Sequence, residues 1–331
     1  MLMSEPLKIV LAPVRNEAWV LRAFLEATSL WADHIIIADQ MSTDGSREIA
    51  KEYPKVILVD NNRKEMHQAA TRRLLFEEAK KIEGDKILFA LDADEFLAGD
   101  FVNTEDWRMI MDSKPNDVFC WRWMNLKGDD HDKYSIGPYY YWAVHVSDSL
   151  WEGEFPDHFI HEWRLPWPPE AREVNQHELA DLFSIHFAWV NQNRQRNKER
   201  FYQVSTVAKE PKKSKVTLFR HYHDVEFQDC LELPKNAYEF YESHGLDIWN
   251  YVDLDDEGAY YTSEVIRLFE QDGIRSFALL GIWDEDWMKR NGVKDPRNVF
   301  DKIILRYLRR TNPKARSIVV RIIDKVLKTI V

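Results

Sequence analysis

Four apolar runs alternate with helical stretches over the first hundred residues, and this alternation restricts the fold more than any other feature of the chain. LKIVLAPV (7–14), HIIIAD (34–39), VILVD (56–60) and KILFALD (86–92) read as strands. Between them, NEAWVLRAFLEATSLW (16–31) puts Trp19, Val20, Ala23, Phe24 and Ala27 on one helical face. STDGSREIAKEY (42–53) opens on Ser, Thr and Asp as candidate caps, and KEMHQAATRRLLFEEAKKIEG is a long helix. Strands and helices in this order form a parallel sheet covered on both faces, and such sheets bind ligands at the carboxyl ends of their strands. Asp39, Asp60, Asp92 and Asp94 all fall at or just past those ends.

After residue 100 the pattern changes. VFCWRWMNL (118–126) and YSIGPYYYWAVHV (134–146) read as aromatic-rich strands, a hairpin or mixed extension of the sheet. From Leu231 onward the chain is mostly helical, broken at Gly245, Gly273, Gly292 and Pro296. The expected division is an α/β domain over 1–225, a helical region over 226–297 and basic amphipathic helices over 298–331. Two distant cysteines, Cys120 and Cys230, form neither a disulfide framework nor a zinc signature, which fits a reducing, cytoplasmic setting. The first apolar run is too short for a signal peptide, and no window reaches the roughly 20 apolar residues of a membrane-spanning helix.

The turn after the fourth strand, LDADEFL, places Asp92 and Asp94 at i and i+2, on one side of the chain. Two such carboxylates can hold one hard cation, directly or through its waters, and leave positions open for phosphate oxygens. The cation would offset the charge that builds on a departing nucleoside diphosphate. The plain alternative is a capping Asp92 with Asp94 and Glu95 in water.

Other strand ends carry VRNE (14–17) and HIIIADQMSTDGS, with Asp39 before Ser42-Thr43-Asp44-Gly45, while Arg72 lies on the helix that precedes FALDADE. This set, in this order over residues 7–97, resembles the family 2 glycosyltransferases. The resemblance implies the GT-A nucleotide-diphospho-sugar transferase fold: a Rossmann-like, mostly parallel sheet with helices on both faces, here with a C-terminal helical extension. It implies Pro13, Arg15, Asn16 and Glu17 around the nucleotide, Asp39 accepting a hydrogen bond from the base, and Arg72 facing nucleotide or diphosphate. Asp92 would touch ribose or metal, and Asp94 would be the main protein ligand of Mn2+ or Mg2+. Gln40 and Met41 replace the commoner D-G of the family's D-D-G-S pattern, which leaves the base unspecified. On the plain alternatives, Asp39 caps the next helix and Arg72 pairs with Glu77 or Glu78.

Sugar transfer with inversion also needs a base for the acceptor hydroxyl. In EGEFPDHFIHEWRLPW, Glu162 is the first candidate and Asp157 the second, since I-H-E looks like an H-E of family 2 relatives; otherwise Glu162 pairs with Arg164 or Arg172. The resemblance further implies a late histidine in the metal or diphosphate site, for which His186 in LFSIHFAW comes first and His161 next. Arg194, Arg196, Lys198 and Arg200 either add diphosphate contacts or form a solvated helix face. One or two of Trp142, Trp151, Trp163, Trp167 and Trp189 suit the C–H face of a sugar, the others being core.

The chain's net charge is −11, yet residues 298–331 hold nine Lys and Arg against Asp301 and Asp324, a local +7, so the rest carries −18. Such a body disfavours nucleic acid as partner. Ile318, Val319, Ile322, Ile323, Val326, Leu327, Ile330 and Val331 form an apolar stripe. It fits peripheral contact with an anionic membrane, at the cytoplasmic face, or packing on the body or in a homodimer. The overall expectation is an enzyme that moves a sugar from a nucleotide-sugar donor to a glycan or lipid-linked glycan acceptor. A sugar-nucleotide pyrophosphorylase would need a glycine-rich loop where APVRNE stands. The other rival is a non-catalytic sugar-binding module on the same fold.

Overall fold

The computed structural model describes residues 5–127, 131–147, 164–165, 175–223, 230–315 and 317–330. They fall into two compact units, one numbered 1–190 with 230–255, the other 191–229 with 256–331. These limits follow compactness, whereas the divisions at 225 and 297 were drawn on composition.

The described residues of the first unit form nine strands: β1 (Leu7–Val14), β2 (His34–Asp39), β3 (Val56–Asp60), β4 (Lys86–Ala90), β5 (Glu95–Leu97), β6 (Asp117–Lys127), β7 (Lys133–Val146), β8 (Asn175–His186) and β9 (Leu231–Glu232). They form one mixed sheet in the order β3-β2-β1-β4-β7-β6-β8-β5, with β9 on β7. The first four strands are mutually parallel, as the alternation implies, with Val14 opposite Asp39 and Asp39 opposite Asp60. Beyond β4 the β6–β7 hairpin brings in antiparallel pairing, although β6 and β8 run parallel.

Alternate side chains of the central strands feed two separate cores. Val10, Ala12, Ile35, Ile37, Ile87 and Phe89 enter one, and Ile9, Leu11, Ile36, Ala38, Leu88 and Ala90 the other. Helix α1 (Ala18–Ser29) packs Trp19, Val20, Phe24 and Ala27 into the first core, and α3 (Gln68–Ala79) packs Ala69, Leu75 and Phe76 into the second. Each fully buried aliphatic side chain contributes roughly 1.5–3 kcal/mol relative to exposure, which is why both faces must be covered. The first core continues through Trp31, Phe101 and Trp107, the last on α4 (Glu105–Met111), and takes Phe240 and Tyr241 from α7 (Glu239–Ser243).

Helix starts differ from expectation where the backbone turns left-handed. Asn16 sits at φ 56°, so α1 begins at Ala18 and not at 16. Met41 at φ 55° and Gly45 at φ 96° delay α2 to Ser46–Lys51, because 42–45 form a loop. Asn tolerates that region better than most side chains. The long third helix shortens to Gln68–Ala79, capped by His67, whose Nδ1 accepts from the Ala70 N–H.

The second unit is helical: α5 (Gln192–Lys209), α6 (Lys215–His223), α8 (Ala259–Asp272), α9 (Glu285–Arg290), α10 (Val299–Thr311) and α11 (Ile318–Ile330). Arg194 and Arg200 of α5 are buried within it, paired with Asp256 and Asp284, and the Arg200 guanidinium lies 4.2 Å from the Trp287 ring centre. These two arginines are therefore neither diphosphate contacts nor a solvated face. Among the described residues no helix is long and apolar enough to cross a membrane.

Candidate active site

The strand-end loops are cross-tied by the residues that the family resemblance singles out. The left-handed Asn16 turns its side chain onto the next loop, where its Oδ1 accepts from the Thr43 N–H at 2.7 Å, and its own N–H donates to Ser42 Oγ at 2.9 Å. The Glu17 N–H donates to Ser46 Oγ, and the Glu17 carboxylate accepts from Trp19 Nε1. Asp44 accepts from the Ala18 and Ser46 N–H groups. The Asn16 and Glu17 contacts thus help to fix the mouth of the β1–β2 edge. Pro13 is in β1 opposite Ala38, and Arg15 donates to the Lys64 carbonyl.

Asp39 is buried at the end of β2 and does not cap α2, whose N-cap is Gly45. It accepts from the Ser42 N–H and pairs with Arg47, which also holds Asp60 at 2.5 Å. Gln40, the departure from the family pattern, is used structurally: its Nε2 donates to the Arg63 and Glu65 carbonyls, each at 2.8 Å. It thereby holds the loop after β3 against the loop after β2.

The turn after β4 contains the densest charge in the unit. The strand ends at Ala90, two residues earlier than expected, and 91–94 turn into the short β5. Asp92 Oδ1 accepts from Arg72 Nη2 at 2.6 Å and Oδ2 from Arg164 Nη2 at 2.8 Å. Arg72 is buried, and its helix neighbours Glu77 and Glu78 pair with Lys80 and Lys81 instead. Burial pushes the Arg72 guanidinium below its usual range against the pull of Asp92. Its Nη1 is buried and has no hydrogen-bond partner among the described residues. An unpaired guanidinium nitrogen is costly to bury, and an anionic ligand would satisfy it.

Arg164 is the residue that sequence reasoning missed; it entered only as a surface partner of Glu162. It is buried, with its guanidinium 4.4 Å and 5.4 Å from the ring centres of Trp142 and Trp123. Burial opposes its charge, but Asp92, Glu95 and Asp94 hold the guanidinium above its usual range. Glu95, fully buried, accepts four hydrogen bonds: two from Arg164, at 2.6 and 2.8 Å, one from Trp123 Nε1 and one from the Asp92 N–H. Burial, joined by the nearby Asp92 charge, pushes the Glu95 carboxyl up against the pull of Arg164 and His186. Its four donors fill all four acceptor sites of a carboxylate.

Asp94 and His186 meet across the sheet. Glu95 is opposite His186 in the β5–β8 pair, and Asn125 of β6 is opposite His186 on the other side. His186 Nδ1 lies 2.8 Å from Asn125 Oδ1, which only accepts, so Nδ1 carries the proton and Nε2 presents its lone pair. Nε2 is 3.6 Å from Asp94 Oδ2, too far for a hydrogen bond. Two donors about 2.1 Å from one cation lie about 3.0–3.6 Å apart, depending on the angle. Trp123 stacks on the imidazole, with ring centres 5.3 Å apart, and fixes its plane.

Asp94, Glu95 and His186 are a group whose ligand atoms lie within 4.8 Å of one another. Since both Glu95 oxygens already accept two hydrogen bonds each, Asp94 and His186 are the better-placed pair, and Glu95 serves to hold Arg164. Asp92 stands outside the group, between its two arginines. Orientation of a ligating histidine by a second hydrogen bond, as by Asn125, is the usual construction of a metal site.

The base candidates Glu162 and Asp157, the alternative histidine His161, and Trp151, Trp163 and Trp167 lie outside the described residues. Trp142 is fully buried, stacked on Trp121 and donating to the Trp121 carbonyl, so it is core and not an acceptor platform. Trp189 is half-buried.

Residues 9–144 match the profile of glycosyl transferase family 2. No curated protein matches the chain by sequence. Among solved structures it is similar to glucosyl-3-phosphoglycerate synthase from Mycobacterium tuberculosis, in complex with Mn2+, UDP and glucosyl-3-phosphoglycerate, at 15% identity and TM-score 0.27, covering 36% of this chain and 44% of that one. The chain thus spans less than half the length of that synthase. It is also similar to HddC from Yersinia pseudotuberculosis (10% identity, 56% and 94% covered, TM-score 0.30). A third is the inositol-1-phosphate CTP transferase of T. maritima (9% identity, 56% and 90% covered, TM-score 0.36). The matched segment runs from β1 into β7 and contains Asn16, Asp39, Arg72, Asp92 and Asp94. The family whose profile residues 9–144 match is accordingly the one that their strand-end residues resemble.

Proposed function

We propose that the chain is a divalent-cation-dependent glycosyltransferase that moves a sugar from a nucleoside diphosphate donor to a glycan or lipid-linked glycan, with inversion, in the cytoplasm. The observation that carries this reading is the approach of Asp94 to a His186 that Asn125 orients, two residues along from an Asp92 whose partner Arg72 has a buried nitrogen to offer an anion. Asp94 and His186 would hold Mn2+ or Mg2+, which when bound supplies positive charge for the leaving diphosphate. Arg72 Nη1 would take a diphosphate oxygen, while Asp92, about one third exposed at 35%, keeps both arginines oriented toward the donor. Pro13, Arg15, Asn16, Glu17 and Asp39 would border the base and ribose at the adjoining strand ends. Glu162, with Asp157 second, would remove the acceptor proton.

The direct test is thermal stabilisation by UDP, GDP, CDP and dTDP, each with and without Mn2+. A ligand at about 100 times its Kd adds about 2.7 kcal/mol to the folded state. One diphosphate should raise the melting temperature only when metal is present; indifference to all four with Mn2+ would sink the reading. Arg72→Lys keeps a cation for Asp92 but removes Nη1, so diphosphate affinity should fall about tenfold, about 1.4 kcal/mol, at unchanged melting temperature of the free protein. Unaltered affinity would exclude Arg72 from the donor site. Glu162→Gln should abolish transfer and preserve donor affinity, because a base acts on the acceptor. Full transfer activity in that variant would move the role to Asp157.

A further inference from the structure

Of the C-terminal helices, α11 is fastened to the second unit through Asp324, whereas α10 packs inward through Ile304, Leu305 and Leu308. Arg220 of α6 uses all five of its N–H groups there: on both Asp324 oxygens at 2.9 and 3.0 Å, and on the Leu308 carbonyl, Asn312 Oδ1 and Thr311 Oγ1. Tyr307 adds its hydroxyl to Asp324. Val320 and Asp324 of α11 are buried by this docking. At 3.6 residues per turn the docked positions occupy an arc on one side of the helix, and Ile318, Val319, Ile322, Ile323 and Val326 span about 140° on the other. That apolar arc faces outward: Ile318 is 74% exposed, Ile322 60% and Val326 54%. On α10, Val299, Phe300 and Ile303 are exposed as well.

The exposed charge described on the two helices has one sign, although Lys302 of α10 pairs with the neighbouring Asp295. The two acidic residues of α10 and α11, Asp301 and Asp324, are both buried and held by Arg275 and Arg220. Every exposed charged side chain described on the two helices is a lysine or arginine, with Arg321, Lys325 and Lys328 lining one edge of the apolar arc. Burial of these two carboxylates leaves α11 with a face that is apolar at its centre and cationic at its border. A second copy docked isologously would set the same cations against each other. A lipid surface with anionic headgroups takes both parts at once, the side chains entering the acyl boundary and the cations meeting the headgroups.

We infer that α10 and α11 form an interfacial membrane-docking surface selective for anionic lipid, with α11 lying in the plane of the headgroups. Arg220 is the fastener that keeps the polar side of α11 on the protein and turns the apolar side out. This inference does not depend on the transferase reading.

The experiment is sedimentation of the full-length protein with phosphatidylcholine vesicles, with and without about one third phosphatidylglycerol, at low and high salt, together with Ile322→Glu/Val326→Glu and Arg321→Glu/Lys325→Glu. Binding should require the anionic lipid, weaken as salt screens the border, and fall at least tenfold in each double variant. The substituted side chains are exposed, so melting temperatures should match that of the parent, and circular dichroism checks the fold of each variant. Absence of binding to anionic vesicles at low salt, equal binding to neutral vesicles, or variants that bind like the parent would overturn the inference. A concentration-dependent dimer that Ile322→Glu/Val326→Glu disperses, without vesicle binding, would replace it with self-association.

Discussion

Asp94→Asn is expected to lower sugar transfer by about 10²–10³-fold and to remove the stabilisation that Mn2+ gives, while the metal-free protein melts as before. The physical ground is local. Asp94 is buried in a turn whose backbone is fixed by its own carbonyl, which accepts from the Phe187 N–H at 2.9 Å, so an isosteric amide keeps the fold. What it loses is the negative charge 3.6 Å from His186 Nε2. On the proposed reading His186→Asn should reproduce the loss of metal response, since the imidazole held by Asn125 and stacked on Trp123 would be the second ligand. The measurement is melting temperature against Mn2+ concentration for the parent and both variants. Metal stabilisation that survives in Asp94→Asn would rule out the Asp94–His186 pair as the cation site.

Arg164→Ala is expected to destabilise the first unit by about 3–5 kcal/mol, because deleting one partner of a buried ion pair leaves charge without compensation. Two carboxylates are affected together: Glu95 loses two of its four donors and Asp92 one of its two arginines. The cation–π contacts to Trp142 and Trp123 are lost as well, each worth about 0.5–2 kcal/mol. Chemical denaturation with and without Mn2+ measures the effect. If Arg164→Ala unfolds within about 1 kcal/mol of the parent, the Asp92–Arg164–Glu95 cluster is not the support of the turn that carries Asp94. Glu95→Gln, which keeps the shape and half the acceptor capacity, should cost less than Arg164→Ala.

Much of the first unit was legible along the chain because its information is local. Ile9 to Val14, Ile35 to Ala38 and Ile87 to Ala90 are apolar without a break, and a strand buried on both faces reads that way. The resemblance carried by VRNE, Asp39, Arg72 and D-A-D worked for a related reason, since residues at consecutive strand ends share a rim whenever the strands are parallel neighbours. Helix limits were less legible, because α1 and α2 are delayed by left-handed residues that only the φ values of Asn16, Met41 and Gly45 reveal.

Arg164 shows where sequence reading runs out. It lies 69 residues from Glu95 and 72 from Asp92, and no periodicity joins it to either. The same holds for Asn125 and His186, which meet because β6 pairs parallel with β8 across 61 residues. The amphipathic pattern of α11 was plain in the sequence, but which side of it faces the protein was not. An apolar stripe normally packs inward, and here Arg220, 104 residues upstream of Asp324, holds the opposite side. The sequence by itself determined the alternating strands, the carboxylates at their ends and the basic amphipathic tail, since each depends on spacing within a single element. Only the tertiary structure decided the partners of those charges, because a buried charge is stabilised by whichever opposite charge the topology brings within about 3 Å, whatever the chain distance between them.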